Sequence, residues 1–346
     1  MENIGAQKSR VLWVDFAKAF GIWLVIVGHM TIPSHLTQFI FAFHMPLFFF
    51  ISGYLEKNNR SVKDEILHGV KTLLIPYVIL YLLFFVYNIS IVQHFGTEQY
   101  SGGYPLKDLV VKPLVGMFFG IGRSTHSSTM LNVPLWFLVG LFCTKIIHRI
   151  LFVIVKGNID YYILGIGVVI IGMFGLKFIK LSIPFSLLPA VEAFPFFAVG
   201  NILQEKNRLK TVLKNRLMSI IISIAGFVII FIGVIYNGKA DINYFIYGKD
   251  ALLFYILGFV GIISTMCISL LYTKQNWLIT TFSNGTIIIL AFHGLLNGYI
   301  FRITSIFGLE QTLLLVFIVS VLNMFIEIIP IKFIQRFIPI IVGGRK

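Results

Sequence analysis

Apolar runs of about 20 residues, separated by short polar breaks, set the rhythm of this chain. Ten runs are long enough to predict membrane spans, at residues 11–30, 36–55, 70–94, 131–155, 160–179, 184–203, 217–236, 251–272, 283–303 and 311–334. The break at Thr31–His35 is very short, so the first two spans are expected to be antiparallel neighbours, with His29 and His44 facing one cavity. Glu56–Lys71 reads as a charged cytoplasmic loop. The longest break, 95–130, is rich in Gly, Ser and Thr and reads as an extracytoplasmic loop, the natural place to meet a substrate outside the cell. The halves share no motifs, which argues against an inverted-repeat transporter. The pattern predicts an all-α integral membrane protein, one domain over residues 1–346 with its spans between about 10 and 334.

Charge supplies the orientation. With the N-terminus inside, 19 of the 28 lysines and arginines fall in cytoplasmic segments and eight in outer ones. Basic residues concentrate on the cytoplasmic side of membrane proteins, so both termini are placed there. The net charge of +14 raises nucleic acid as a partner, but basic residues confined to short breaks between spans exclude it. Only 12% of residues are charged, where a soluble domain carries about 25%, so the lipid bilayer is the expected surroundings. Cys143 and Cys267 both lie inside apolar runs, against a disulfide or metal framework. The first run holds Asp15 and Lys18 and lacks a small-residue cleavage site, so it is expected to stay as a span.

Ionisable groups inside a span are costly, which makes them functional candidates. The first run carries three: Asp15, Lys18 and His29. Asp15 and Lys18, three apart, are same-face neighbours and a candidate ion pair. Lys18 and His29, eleven apart, share a face across roughly 16 Å of helix. A direct Asp15–His29 dyad would have to close about 21 Å. The alternative is that Asp15 and Lys18 snorkel to one interface while His29 caps the other end. In the second span, Phe43–Leu55 (FHMPLFFFISGYL) carries His44, a helix-bending Pro46, and Ser52–Gly53, which permit close helix packing. No pair of histidines has the i, i+4 spacing of a metal site.

Lys18, ten intervening residues and then His29, followed by FHMPLFFFISGYL, resembles the membrane-bound acyltransferase-3 family. Further similarity lies in Pro134–Leu138 (PLWFL), Phe194–Gly200 (FPFFAVG) and Ser283–Asn284–Gly285 leading to His293, so the resemblance runs from about Arg10 to Pro330. Lys18 stands where the family more often has arginine, and His68-Gly69-Val70-Lys71 is a weakened form of a basic pair at the start of the third span.

The resemblance implies an O-acetyltransferase of the bacterial plasma (inner) membrane, crossing it many times. It would use acetyl-CoA or another acyl-CoA as cosubstrate, with no permanently bound cofactor, and a sugar or surface polysaccharide as acceptor. In that reading His29 is the general base, or an acyl-carrying relay, and Asp15 holds the charge of Lys18. Lys18, His68 and Lys71, with Arg60 or Lys63, face the CoA phosphates. His44, Ser52, Trp136, Glu192 and His293 are candidates for the acceptor side, each with a plainer alternative. Ser52 serves helix packing, Trp136 anchors at the interface, and Glu192 pairs with a neighbouring cation. Glu327 reads as snorkelling or pairing with Lys332, and His35, His94 and His148 as interfacial. Arg123 and His126 read as solvated, with an acceptor contact as the alternative. Two other functions fit the same architecture: a polysaccharide exporter or flippase without chemistry, and an acyltransferase acting on a small molecule.

Overall fold

A computed structural model describes residues 10–92, 107–122, 128–156, 161, 163–165, 167, 183–205 and 215–342. The protein is an all-α integral membrane protein. Eight described helical stretches are long and apolar enough to cross a membrane. They match predicted spans two to four and six to ten, with ends shifted by a few residues except at the third. The first predicted span is helix α1, Leu12–Gly28. The fifth falls almost wholly outside the described residues, as do His94, Arg123 and His126.

In chain order, α1 is followed by α2 (Ser34–Tyr54), α3 (Val62–Gly69) and α4 (Ile75–Tyr87). Then come α5 (Lys112–Phe119), α6 (Trp136–Ile154), α7 (Leu187–Glu205) and α8 (Arg216–Asn237). The last four are α9 (Ala251–Ser269), α10 (Trp277–Asn284), α11 (Thr286–Ile306) and α12 (Leu313–Phe337). Strands β1 (Ala240–Asp241) and β2 (Ile246–Tyr247) form a small antiparallel pair between α8 and α9. Side-chain oxygens start several helices by accepting orphan backbone N–H groups: Asn215 for α8, Asp250 for α9, Asn276 for α10 and Thr312 for α12.

Two predicted breaks are partly helical. Glu56–Lys71 is helical from Val62, where Ser61 caps α3 by accepting from the Asp64 N–H at 3.1 Å. α3 runs into α4 through a π-turn at Val70–Leu74. Pro76 has no N–H to give the Thr72 carbonyl, so the hydrogen-bond register slips there. The 95–130 segment is helical over Lys107–Phe119. It is held to α4 by Tyr77, donating to the Met117 carbonyl at 2.6 Å, and by Tyr81, donating to that of Pro113 at 2.7 Å.

α2 is the hub, packed against α1, α7, α8 and α9. Its closest approach is to α7, where Gly53 faces the Phe197 backbone and Gly200 faces that of Phe50. Small residues let membrane helices meet backbone to backbone, so here the expectation for Gly53 holds. α1 and α11 run side by side in one direction: Lys18 meets Ser283 at one end and His29 meets His293 at the other. α6 and α7 are also parallel, since Gly140 packs near Ser186 while His148 packs near Phe197. The chain ends joined between them, Val155 and Pro184, therefore lie at opposite ends of the pair.

Candidate functional site

The charged end of α1 is built on the turn between α10 and α11. Asp15 accepts from Arg10 Nε at 2.7 Å and from the Ser283 hydroxyl at 2.6 Å. Arg10 reaches on to Asn284 Oδ1 at 2.9 Å, and Lys18 donates to the Ser283 carbonyl at 2.5 Å. Each residue of Ser283–Asn284–Gly285 thus has a task. Ser283 binds α1, Asn284 holds Arg10 just before it, and Gly285 lets α12 close, because a Cβ there would lie 2.3 Å from Ile331 Cδ1. Asp15 thus has a direct guanidinium partner in Arg10, whose planar fork suits a carboxylate, while Lys18, which donates to a backbone carbonyl, still lies close enough for its charge to act on Asp15.

At the other end three imidazoles converge. His29, His44 and His293 each hold Nδ1 against the carbonyl four residues earlier, those of Val25, Ile40 and Ile289, at 2.8, 2.8 and 2.9 Å. A carbonyl can only accept, so each Nδ1 carries the hydrogen, and Nε2 is the basic atom of the neutral ring. The His29 and His293 rings meet edge to face at 5.0 Å, and Phe41 stands between His29 (6.0 Å) and His44 (4.9 Å). His44 and His293 are buried, with no partner for His293 Nε2 among the described residues. His29 is exposed, with the Phe41 and His293 rings beside it.

Amide side chains fix this end of α11. Asn132 donates to the Ala291 carbonyl at 2.8 Å, Asn323 to that of His293 at 3.0 Å, and Asn297 to that of Ile26 at 3.3 Å. Asn323 also donates to Asn297 Oδ1 at 2.7 Å. The sequence reading passed over Asn132 and Asn323. The available signal was a primary amide inside or beside an apolar run, since a buried amide needs partners.

Between the two ends lies a small apolar cavity of about 30 Å³, open on one side. Ile22 of α1, Met45 and Phe48 of α2, Phe137 of α6, and Thr286, Ile287 and Leu290 of α11 line it. Ile22 is one turn beyond Lys18 and two short of His29, and Leu290 is one turn before His293. Both helices that carry the charged end and the imidazoles therefore pass this cavity on the way.

The remaining candidates are dispersed. Lys71, in the π-turn, is exposed and makes no ion pair among the described residues, while His68 is half-buried. Ser52 returns its hydroxyl to the Phe48 carbonyl at 2.7 Å. Trp136 is buried against Phe49 and Phe137 and has no open face for a sugar, so neither the sugar platform nor the interfacial anchor describes it. Glu192 is buried and accepts from the Tyr255 hydroxyl at 2.8 Å; its partner is a phenol, not the expected cation. Glu327 is fully buried with neither carboxylate oxygen paired among the described residues, and Lys332 lies instead over the Trp277 ring. His148 is fully buried between Tyr161 and Asn58, not interfacial.

A buried ion cluster near the start of α3 escaped the sequence reading. Lys145 of α6 bridges Glu56 and Glu65, the latter at 2.6 Å, and Arg60 meets Glu65 at 2.7 Å. Burial pushes the Glu56 carboxyl up against the pull of Lys145. Arg149 donates to the Lys57 and Asn58 carbonyls at 2.6 and 2.8 Å and fastens the preceding turn. Arg60 is thereby committed to the protein's own acids.

The fold and site define a polytopic membrane protein whose first helix carries a charged anchor at one end and meets a cluster of imidazoles at the other. The chain belongs to the acyltransferase-3 family: the family model, described as an acyltransferase domain, matches residues 11–331. No curated protein and no solved structure matches the chain. It is a membrane acyltransferase.

Proposed function

We propose that this protein moves an acetyl or other acyl group from acyl-CoA, on the cytoplasmic side, to a hydroxyl of a sugar in a surface or secreted polysaccharide. The observation that carries the reading is the state of His29. Its Nδ1–H is engaged by the Val25 carbonyl at 2.8 Å, which leaves the Nε2 lone pair for an incoming proton. The ring is also exposed and lies on the same helix and face as Lys18. His29 Nε2 takes the proton of the acceptor hydroxyl as its oxygen attacks the thioester carbonyl. The new C–O bond forms and the C–S bond breaks. The imidazolium then returns the proton to the departing thiolate, giving an ester and free CoA thiol. His293, with its ring at 5.0 Å, positions His29 against rotation. Lys18 and the exposed Lys71 supply positive charge for the CoA phosphates.

The test is ester analysis of the surface glycan from cells expressing the protein or its His29→Ala variant at equal membrane abundance. A general base contributes about 10²–10⁴-fold, so the variant is expected to leave the glycan essentially unesterified. Undiminished ester content in the variant would refute the role of His29.

A further inference from the structure

We propose that the apolar cavity below the histidines receives the hydrocarbon of the transferred acyl group, and that Phe48 limits its length. The proposal rests on the acyl-CoA reading above and names the donor class more closely.

Position is the first argument. The cavity adjoins the imidazoles on two helices: Met45 follows His44 directly on α2, and Leu290 lies one turn before His293 on α11. An acyl chain that runs from beside His293 one turn back along α11 toward Leu290 enters this space.

Lining chemistry is the second. Of the lining side chains only Thr286 carries a hydroxyl, and that oxygen is already 3.4 Å from the Ser283 carbonyl. A sugar brings several hydroxyls that would lose water and find no partner, and buried unpartnered hydroxyls are strongly disfavoured. A diphosphate would find no cation among the lining residues. The pantetheine arm carries two amides and fits poorly for the same reason. Methyl and methylene groups fit without penalty.

The third argument is the rigidity of one wall. The Phe48 ring lies against α1, where a Cβ on Gly21 would sit 3.1 Å from Phe48 Cζ, and it packs 5.8 Å from the Phe137 ring. A ring held between α1 and α6 does not swing aside for a longer chain.

The experiment measures the Kd of CoA, acetyl-CoA and butyryl-CoA for the purified full-length protein in detergent. Phe48→Ala is expected to raise the preference for butyryl-CoA over acetyl-CoA about tenfold, the worth of two buried methylenes. Ile287→Phe, which fills the same space, is expected to lower it by a similar factor; it also serves if Phe48→Ala does not fold. An unchanged preference in folded variants that still bind acetyl-CoA would overturn the acyl pocket and leave the transferase reading standing. Equal weakening of all three, CoA included, would assign the cavity to the pantetheine arm and also overturn the proposal. Failure of the unaltered protein to bind any of them would overturn the acyl-CoA reading, and the pocket with it.

Discussion

Replacing Gly53 by alanine puts a Cβ 1.9 Å from the Phe197 carbonyl oxygen, and the same change at Gly200 puts one 2.1 Å from that of Phe50. Both obstacles are backbone atoms, so no change of rotamer relieves them. Ordinary contact for a Cβ begins near 3.4 Å, so α2 and α7 must part by about 1.5 Å at Gly53. That separation also strains the Asn201 contact with the Gly53 carbonyl. Overpacking of this kind costs roughly 1–3 kcal/mol, and a backbone obstacle argues for the upper end. Better helix propensity returns at most about 1 kcal/mol, leaving a net loss of about 2 kcal/mol. Gly294 of α11 is the control. A Cβ there meets nothing within 4 Å, so Gly294→Ala should be neutral or stabilising by up to about 1 kcal/mol. The assay is equilibrium unfolding in detergent micelles. One opening of the crossing relieves both glycine sites, so Gly53→Ala with Gly200→Ala should lose at least about 0.5 kcal/mol less than the sum of the single changes. Equal stability of the Gly53→Ala and Gly294→Ala proteins would refute the reasoning, and strict additivity at the crossing would refute the shared opening.

Two further outcomes follow from the regions outside the imidazole site. Lys145→Met removes the shared partner of Glu56 and Glu65 and should cost about 3–5 kcal/mol, with part of the loss restored by adding Glu56→Gln; thermal melting of the single and double variants checks this, and a single variant as stable as the parent contradicts it. Asp241, in strand β1, is pushed up to about 6 because burial disfavours its charged form. The folded chain thus binds a proton that the unfolded chain releases near its ordinary value of 3.8. The stability this group contributes is complete below that value and is lost as pH rises through about 6. Asp241→Asn keeps the acceptor for the Asn243 N–H, so its Tm advantage over the parent should grow between about pH 4 and 7. A pH-independent difference would contradict the assignment.

How far the sequence could be read depended on the range of the interaction. Span positions depend on local apolar length, and the ends of α1, α2, α6, α8 and α12 lie within a few residues of where the runs place them. Helices inside nominal loops were harder, because α3 is too polar for a hydropathy run and starts from its Ser61 cap. The imidazole stripe was legible because Lys18 and His29 share one helix, whose period fixes their common face.

The chain alone determined that it lives in a bilayer, roughly where it crosses, and which helix carries the candidate base, since each follows from neighbours within a few turns. Tertiary structure decided the partners. Asp15 meets Ser283 across 268 positions of chain, Lys18 meets the same residue across 265, and the His29 ring finds His293 from a different helix. It also left Glu327 without a partner among the described residues and Trp136 enclosed. Apolar periodicity fixes which face of a helix turns inward, but in a bundle with many inward faces only the packing selects which faces meet.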